Sequence, residues 1–353
     1  MRSPRPWLLR FLFVSACWLA SLPAHAATDP PSATLRMIEA LERANSSVVG
    51  IRVTVAEDAA SADTLGQRRK GTGVLIAPDG LILTIGYLML EAEQIEIVTQ
   101  DNKTVPARPV AYDLATGFGL LRPLLPVQSL GPVSVAALGS SQRLQAGEPL
   151  MAVTGPQADE DGAVNMTQLV SRRAFSGTWE YHIESALFTS PPILSNGANH
   201  SGAPLFNQQG ELMGIGSLLV SDATGENQRV VGNMFVPVDL LRPILAEMQQ
   251  SGTSMKSRRP WLGLNSNDLG GRIRITRISK DSPAELAGLE AGDVVLAVDG
   301  TQVATLESFY KKLWDRAAPD AEVSLTVQHG AEVKIIVLKA QDRLLTLKKP
   351  SSI

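Results

Sequence analysis

A single cysteine, Cys17, stands among 353 residues, and histidine is almost as scarce, with four. The lone thiol lies in the first 26 residues, so a chain trimmed there can form no disulfide and offers no thiol nucleophile. Of the histidines His25, His182, His200 and His329, no two have the spacing of metal ligands. No metal site or cofactor is expected. Charge of one sign is also missing: Lys+Arg 32 against Asp+Glu 35 gives −3, without the cationic surplus a general nucleic-acid binder needs to displace counterions. No apolar run reaches the ~20 residues of a membrane-spanning helix. What is abundant is turn chemistry, with 29 glycines and 22 prolines in a chain that is 44% hydrophobic and 19% charged. That composition describes a turn-rich globular protein, and the length suits about two domains at ~150 residues each.

The first 26 residues have the three parts of a secretory signal. Arg2, Arg5 and Arg10 come without an acid, residues 11 to 22 are apolar, and Ala24-His25-Ala26 is a small-residue cleavage site. A membrane anchor would need a longer apolar run. A lipoprotein reading through Val14-Ser15-Ala16-Cys17 has too few apolar residues before the cysteine. Cleavage after Ala26 takes Lys+Arg from 32 to 29 and the net charge from −3 to −6, and directs the chain to the periplasm.

Periodicity divides the remainder. Residues 32 to 46 place Leu35, Ile38 and Leu41 at intervals of three, one stripe of a short helix. From Val48 the pattern turns strand-like. Residues 72 to 87 read as two strands joined at Pro78-Asp79-Gly80, residues 93 to 110 as a hairpin bending at Asp101-Asn102-Lys103, and residues 204 to 220 as a hairpin turning between Asn207 and Gly210. Many short strands with such turns imply an all-β barrel or sandwich. Residues 239 to 250 are expected as a helix capped by Gly252, and the small polar segment 251 to 257 as a linker. Beyond it, strand-like 272 to 279, helical PAELAGL, strand-like DVVLAVDG, helical LESFYKKLWDR and a hairpin about His329-Gly330 make a compact α+β unit.

The segment SPAELAGLEAGDVVLAVDG (282 to 300), with RPWLGL (259 to 264), resembles the PDZ domains of bacterial periplasmic proteases. Upstream, GTGVLIAPDGLILTIGYLML (71 to 90), YDLATGFGLLRP (112 to 123) and ANHSGAPLFNQQGELMGIGS (198 to 217) are similar in order and spacing to the HtrA/Deg family of trypsin-like serine proteases. The resemblance spans roughly residues 48 to 345 and implies a mainly β fold, a chymotrypsin/trypsin-like double β-barrel followed by an α+β PDZ domain. The implied bounds are a signal peptide at 1–26, the barrel domain at 27–250, a linker at 251–257, the PDZ domain at 258–345 and a tail at 346–353.

The same resemblance identifies the site positions. Trypsin-like hydrolysis needs a serine activated by histidine, a carboxylate fixing that histidine, and backbone N–H donors for the oxyanion. The family's histidine, in a motif of the form ILTNxHV, falls on Tyr87, and its aspartate, in TDLALL, falls on Gly117. Only the nucleophile position survives, as Ser201, where GNSGGP is matched by Asn199-His200-Ser201-Gly202-Ala203-Pro204. Asn199 stands where a backbone N–H would help form the oxyanion hole. A phenol of pKa ~10 is a poor base near neutral pH. Loss of the triad implies rates lower by ~10⁴ to 10⁶. His200, adjacent to the serine, is badly placed as a substitute base, His182 reads as a surface or hydrogen-bonded histidine, and Asp113 as a turn residue.

For the PDZ unit the resemblance implies that the loop Trp261-Leu262-Gly263-Leu264 offers free backbone N–H groups to a peptide's terminal carboxylate. The strand continuing through Asn265 would pair with the peptide, and Phe309 and Leu313 would wall its apolar pocket. Expected partners are therefore polypeptide C-termini or unfolded segments, among them the chain's own end at Ile353, and no nucleic acid. Members of the family commonly trimerise through aromatic residues near the N-terminus, whereas residues 27 to 86 here contain no Phe, Trp or Tyr. The expected function is that of an exported HtrA-like pseudoprotease that binds peptides. The alternatives are a divergent serine endopeptidase using Ser201 and a regulatory subunit assembling with an active relative.

Overall fold

The computed structural model describes residues 33–348 apart from 57, 158–159, 194–199 and 317. The first 26 residues with Cys17, the residue expected in the oxyanion loop, Asn199, and residues 349–353 with Ile353 lie outside the described residues. Helix α1 (Ala33–Ser46) leads into β1 (Val48–Val55). A one-turn helix α2 (Ala62–Leu65) precedes β2 (Arg68–Leu75), and β3 (Ile82–Ile85), β4 (Ala92–Val98), β5 (Thr104–Tyr112) and β6 (Phe118–Pro123) follow. These six strands close a barrel in the order β1-β2-β3-β6-β5-β4. Gly80 at φ 88° and Asn102 at φ 59° take the left-handed turns expected of them between β2 and β3 and between β4 and β5. Of the stripe expected of α1 only Leu41 packs against the core. Leu35 and Ile38 are about half exposed, and Ala40 and Ala44 are buried instead. The small face is required because the turn at Gly210 crosses the helix so closely that a Cβ on Gly210 would lie 2.4 Å from the Ala40 carbonyl oxygen.

The second barrel is built from β7 (Ala137–Leu138), β8 (Pro149–Thr154), β9 (Ala163–Gly177), β10 (Tyr181–Ser190), β11 (Pro204–Phe206), β12 (Glu211–Val220) and β13 (Gly232–Pro237). β11 pairs with both β8 and β12, which closes the ring, and β7 lies parallel beside β12. One apolar cluster joins the two barrels, bringing Leu83, Ile85 and Phe118 of the first together with Phe188, Ile215 and Val236 of the second. The site described below lies along this joint. The helix expected over 239 to 250 is shorter, α3 (Leu245–Ser251), because Pro243 has no N–H to give and crowds the carbonyl four residues back. Gly252 caps it at φ 78° as expected.

The third unit comprises β14 (Pro260–Trp261), β15 (Leu264–Asn267), β16 (Ile273–Ile278), α4 (Pro283–Leu286), β17 (Val294–Val298), β18 (Thr301–Gln302), α5 (Leu306–Trp314), β19 (Glu322–His329), β20 (Glu332–Lys339) and β21 (Gln341–Asp342). Its main sheet runs β15-β16-β17-β19-β20, and Leu262, Ile273, Val298, Phe309, Leu313 and Leu325 form the centre of its core. Between the barrels and this unit the small polar segment expected as a linker is docked on the first barrel. Ser254 and Ser257 are buried, and both hydroxyls donate to Asp113 Oδ1.

Candidate functional site

Tyr87 sits in the short 3-10 turn Gly86–Met89 that follows β3, and Ser201 in the turn before β11, so each barrel brings one of them to the joint. Tyr87 Oη lies 2.6 Å from Ser201 Oγ and 2.7 Å from the Ser217 carbonyl oxygen. A phenol has one proton, and a carbonyl can only accept, so Tyr87 donates to Ser217 and Ser201 donates to Tyr87. Burial pushes the Tyr87 phenol up to about 12, against the pull of the Ser201 hydroxyl. Near neutral pH the oxygen facing the serine is therefore that of a neutral phenol, which has almost no capacity to take the serine's proton.

The described turn at Ser201 is tight. Gly202 has φ 80°, and a Cβ there would lie 2.0 Å from the Thr72 carbonyl oxygen, while Thr72 N–H donates to the Ser201 carbonyl at 2.9 Å. Ala203 is fully buried in the second barrel. Burial lowers the His200 imidazole below its ordinary value, and the His200 carbonyl accepts from Ala203 N–H within the loop.

Gly117 adopts φ 82°, and its carbonyl accepts from Gly86 N–H at 2.6 Å. A Cβ on Gly117 would lie 3.1 Å from the Tyr181 hydroxyl, which donates to the Thr116 carbonyl at 2.7 Å. Asp113 is more than a turn residue. It is fully buried, and it accepts from Thr116 N–H and Oγ1–H through one oxygen and from Ser254 and Ser257 through the other. His182 is buried, with Nδ1 2.9 Å from Ser176 Oγ. One of its ring nitrogens and the carboxylates of Glu184 and Glu307 come within 4.8 Å of one another. Lys311 Nζ lies 3.0 Å from Glu184 and 2.7 Å from Glu307, so an ammonium already bridges the two carboxylates.

In the third unit the amides of the Trp261–Leu264 loop are not free. Leu262, Gly263 and Leu264 N–H all donate to the carboxylate of Glu180, at 3.0, 2.8 and 2.7 Å. Glu180 comes from the turn between β9 and β10, is 4% exposed, and has φ 57°. Burial pushes its carboxyl up, against the pull of those amides and of Arg343. Phe309 and Leu313 are fully buried in the unit's core, and the side chain of α5 that meets the turn is Tyr310, whose hydroxyl donates to the Gly177 carbonyl at 2.8 Å. Asn265 pairs with Arg277 on β16. Glu180, Tyr181 and Tyr310 carry no motif in the sequence and are legible there only as parts of strand and helix patterns.

The fold is that of a trypsin-like peptidase domain joined to a PDZ domain. Residues 71–215 match the family model for the trypsin-like peptidase domain, and residues 260–340 match that for the PDZ domain. The chain is HtrA-like in its organisation. It is 27% identical over 282 residues to a probable periplasmic serine endoprotease DegP-like from Hahella chejuensis, covering 76% of this chain and 56% of that one. It is 26% identical over 290 residues to a protein of the same description from Halomonas elongata, covering 78% and 57%. The chain thus spans just over half the length of these relatives. In fold it is similar to the HtrA-type protease AlgW with tripeptide, at a TM-score of 0.52 and 20% identity, covering 89% of this chain and 98% of that one. Among the described residues no helix is long and apolar enough to cross a membrane.

Proposed function

We propose that the chain is an exported, periplasmic HtrA-like pseudoprotease, whose barrels have lost peptidase chemistry and whose PDZ domain binds extended peptide termini. The observation that carries this reading is the 2.6 Å contact of Ser201 Oγ with Tyr87 Oη, because a neutral phenol stands where the serine needs a base. Gly117 adds the loss of the orienting carboxylate. The relatives' description as periplasmic and the signal-like first 26 residues support export. The competing reading, a divergent serine endopeptidase, keeps Ser201 and its tight turn.

The test is casein hydrolysis by the purified chain beside Ser201→Ala, with fluorophosphonate labelling of both. We expect neither protein to turn over casein and no label on Ser201. Hydrolysis by the native sequence that disappears in Ser201→Ala would overturn the reading.

A further inference from the structure

The turn between β9 and β10 occupies the PDZ groove in the register of a peptide ligand. Glu180 sets its carboxylate on the Leu262, Gly263 and Leu264 amides, and two residues earlier the Thr178 carbonyl accepts from Ser266 N–H at 2.8 Å. Two residues separate the contacts on each strand, Thr178 and Glu180 on one side and Ser266 and Leu264 on the other, as in an antiparallel pair. The facing wall is α5, where Tyr310 Oη accepts from Glu180 N–H at 3.2 Å and donates to the Gly177 carbonyl. Arg259 closes the far side, stacked 3.5 Å over the Trp314 ring and donating to the Glu180 carbonyl.

We propose that residues 177–180 are an internal ligand of the PDZ domain, with Glu180 supplying the carboxylate that an outside peptide would bring at its own C-terminus. The proposal rests on reading this groove as a peptide site. An outside peptide and Glu180 cannot share three amides, so binding requires the turn to leave. A tethered competitor acts at an effective concentration around millimolar, so it weakens an outside ligand by the ratio of that concentration to its own dissociation constant. The same contact fastens the PDZ domain to the second barrel, so a displacing peptide would also loosen the domains and leave the Lys311–Glu184 ion pair to hold them.

The test uses the full chain, Glu180→Ala and Tyr310→Phe, the latter loosening the turn without touching the carboxylate. Amide hydrogen exchange at 262–264 and binding of fluorescein-labelled hexapeptides ending in Val, Ile, Leu or Phe as free acids are measured on each. We expect slow exchange in the native chain, faster exchange in both variants, and peptide binding at least about tenfold tighter in Glu180→Ala, the gain a removed tethered competitor allows. Altered exchange with no peptide bound by any protein would uphold the internal ligand and overturn the peptide-binding reading. Equal exchange and equal affinity in the native chain and both folded variants would overturn the internal ligand.

Discussion

A Cβ placed on Gly117 would lie 3.1 Å from the Tyr181 hydroxyl, so the position expected to match the family's aspartate is closely bordered by a buried phenol. Restoring the triad by Tyr87→His with Gly117→Asp therefore meets two obstacles. An aspartate at φ 82° carries left-handed strain of about 1–2 kcal/mol, and its Cβ would press on the buried Tyr181 hydroxyl, which must give way. We expect the double variant to be less stable in urea and still inactive on casein. A fully stable, active double variant would show that Tyr181 yields the space.

The Tyr87 hydroxyl ties the two barrels through Ser201 and Ser217. Tyr87→Phe leaves the Ser217 carbonyl without that donor, which should cost about 1–3 kcal/mol in urea unfolding. An unchanged midpoint would mean that water replaces the phenol without loss.

All four tyrosines of the chain, Tyr87, Tyr112, Tyr181 and Tyr310, have phenols pushed up by burial. The unfolded chain loses these protons at about pH 10, whereas the folded chain keeps them longer. Stability from this source is therefore fully present below the unfolded value and is lost as pH rises through the folded ones, which for Tyr87 means towards about 12. The loss reaches about 1.4 kcal/mol per pH unit for each phenol. Phenolate absorbance should appear together with loss of the folded circular-dichroism signal. Phenolate forming at the unfolded value in a protein that is still folded would contradict the burial argument.

Much of this architecture is legible in the sequence because it is local. Gly80, Asn102 and Gly252 announce turns and a cap through backbone freedom, and the strand-like runs of β1 and β12 announce buried strands. Tyr87 and Ser201 are legible as positions, but their contact joins residues 114 apart and follows from the packing of one barrel on the other. Glu180 is not legible as a ligand, since one glutamate in a turn has no pattern until the PDZ amides are placed over it. Pro243 lies within the expected helix, and its effect on the backbone outweighs the apolar spacing.

Asp113 gives the last prediction, because it joins a turn of the first barrel to the segment leading into the PDZ domain. Its carboxylate accepts from Thr116 on one oxygen and from the Ser254 and Ser257 hydroxyls on the other. Asp113→Ala removes the acceptor for four donors in a buried place, and each donor left unmatched costs about 1–3 kcal/mol where water cannot reach it. Relaxation of the two serines towards solvent limits the total, so a loss of about 2–4 kcal/mol is expected in urea unfolding. Release of the segment adds a separate sign, faster cleavage by an added protease within 251–258 under conditions where both barrels stay folded. Native-like resistance of that segment in Asp113→Ala would show that the α3 cap and the Glu180 contact suffice to hold it.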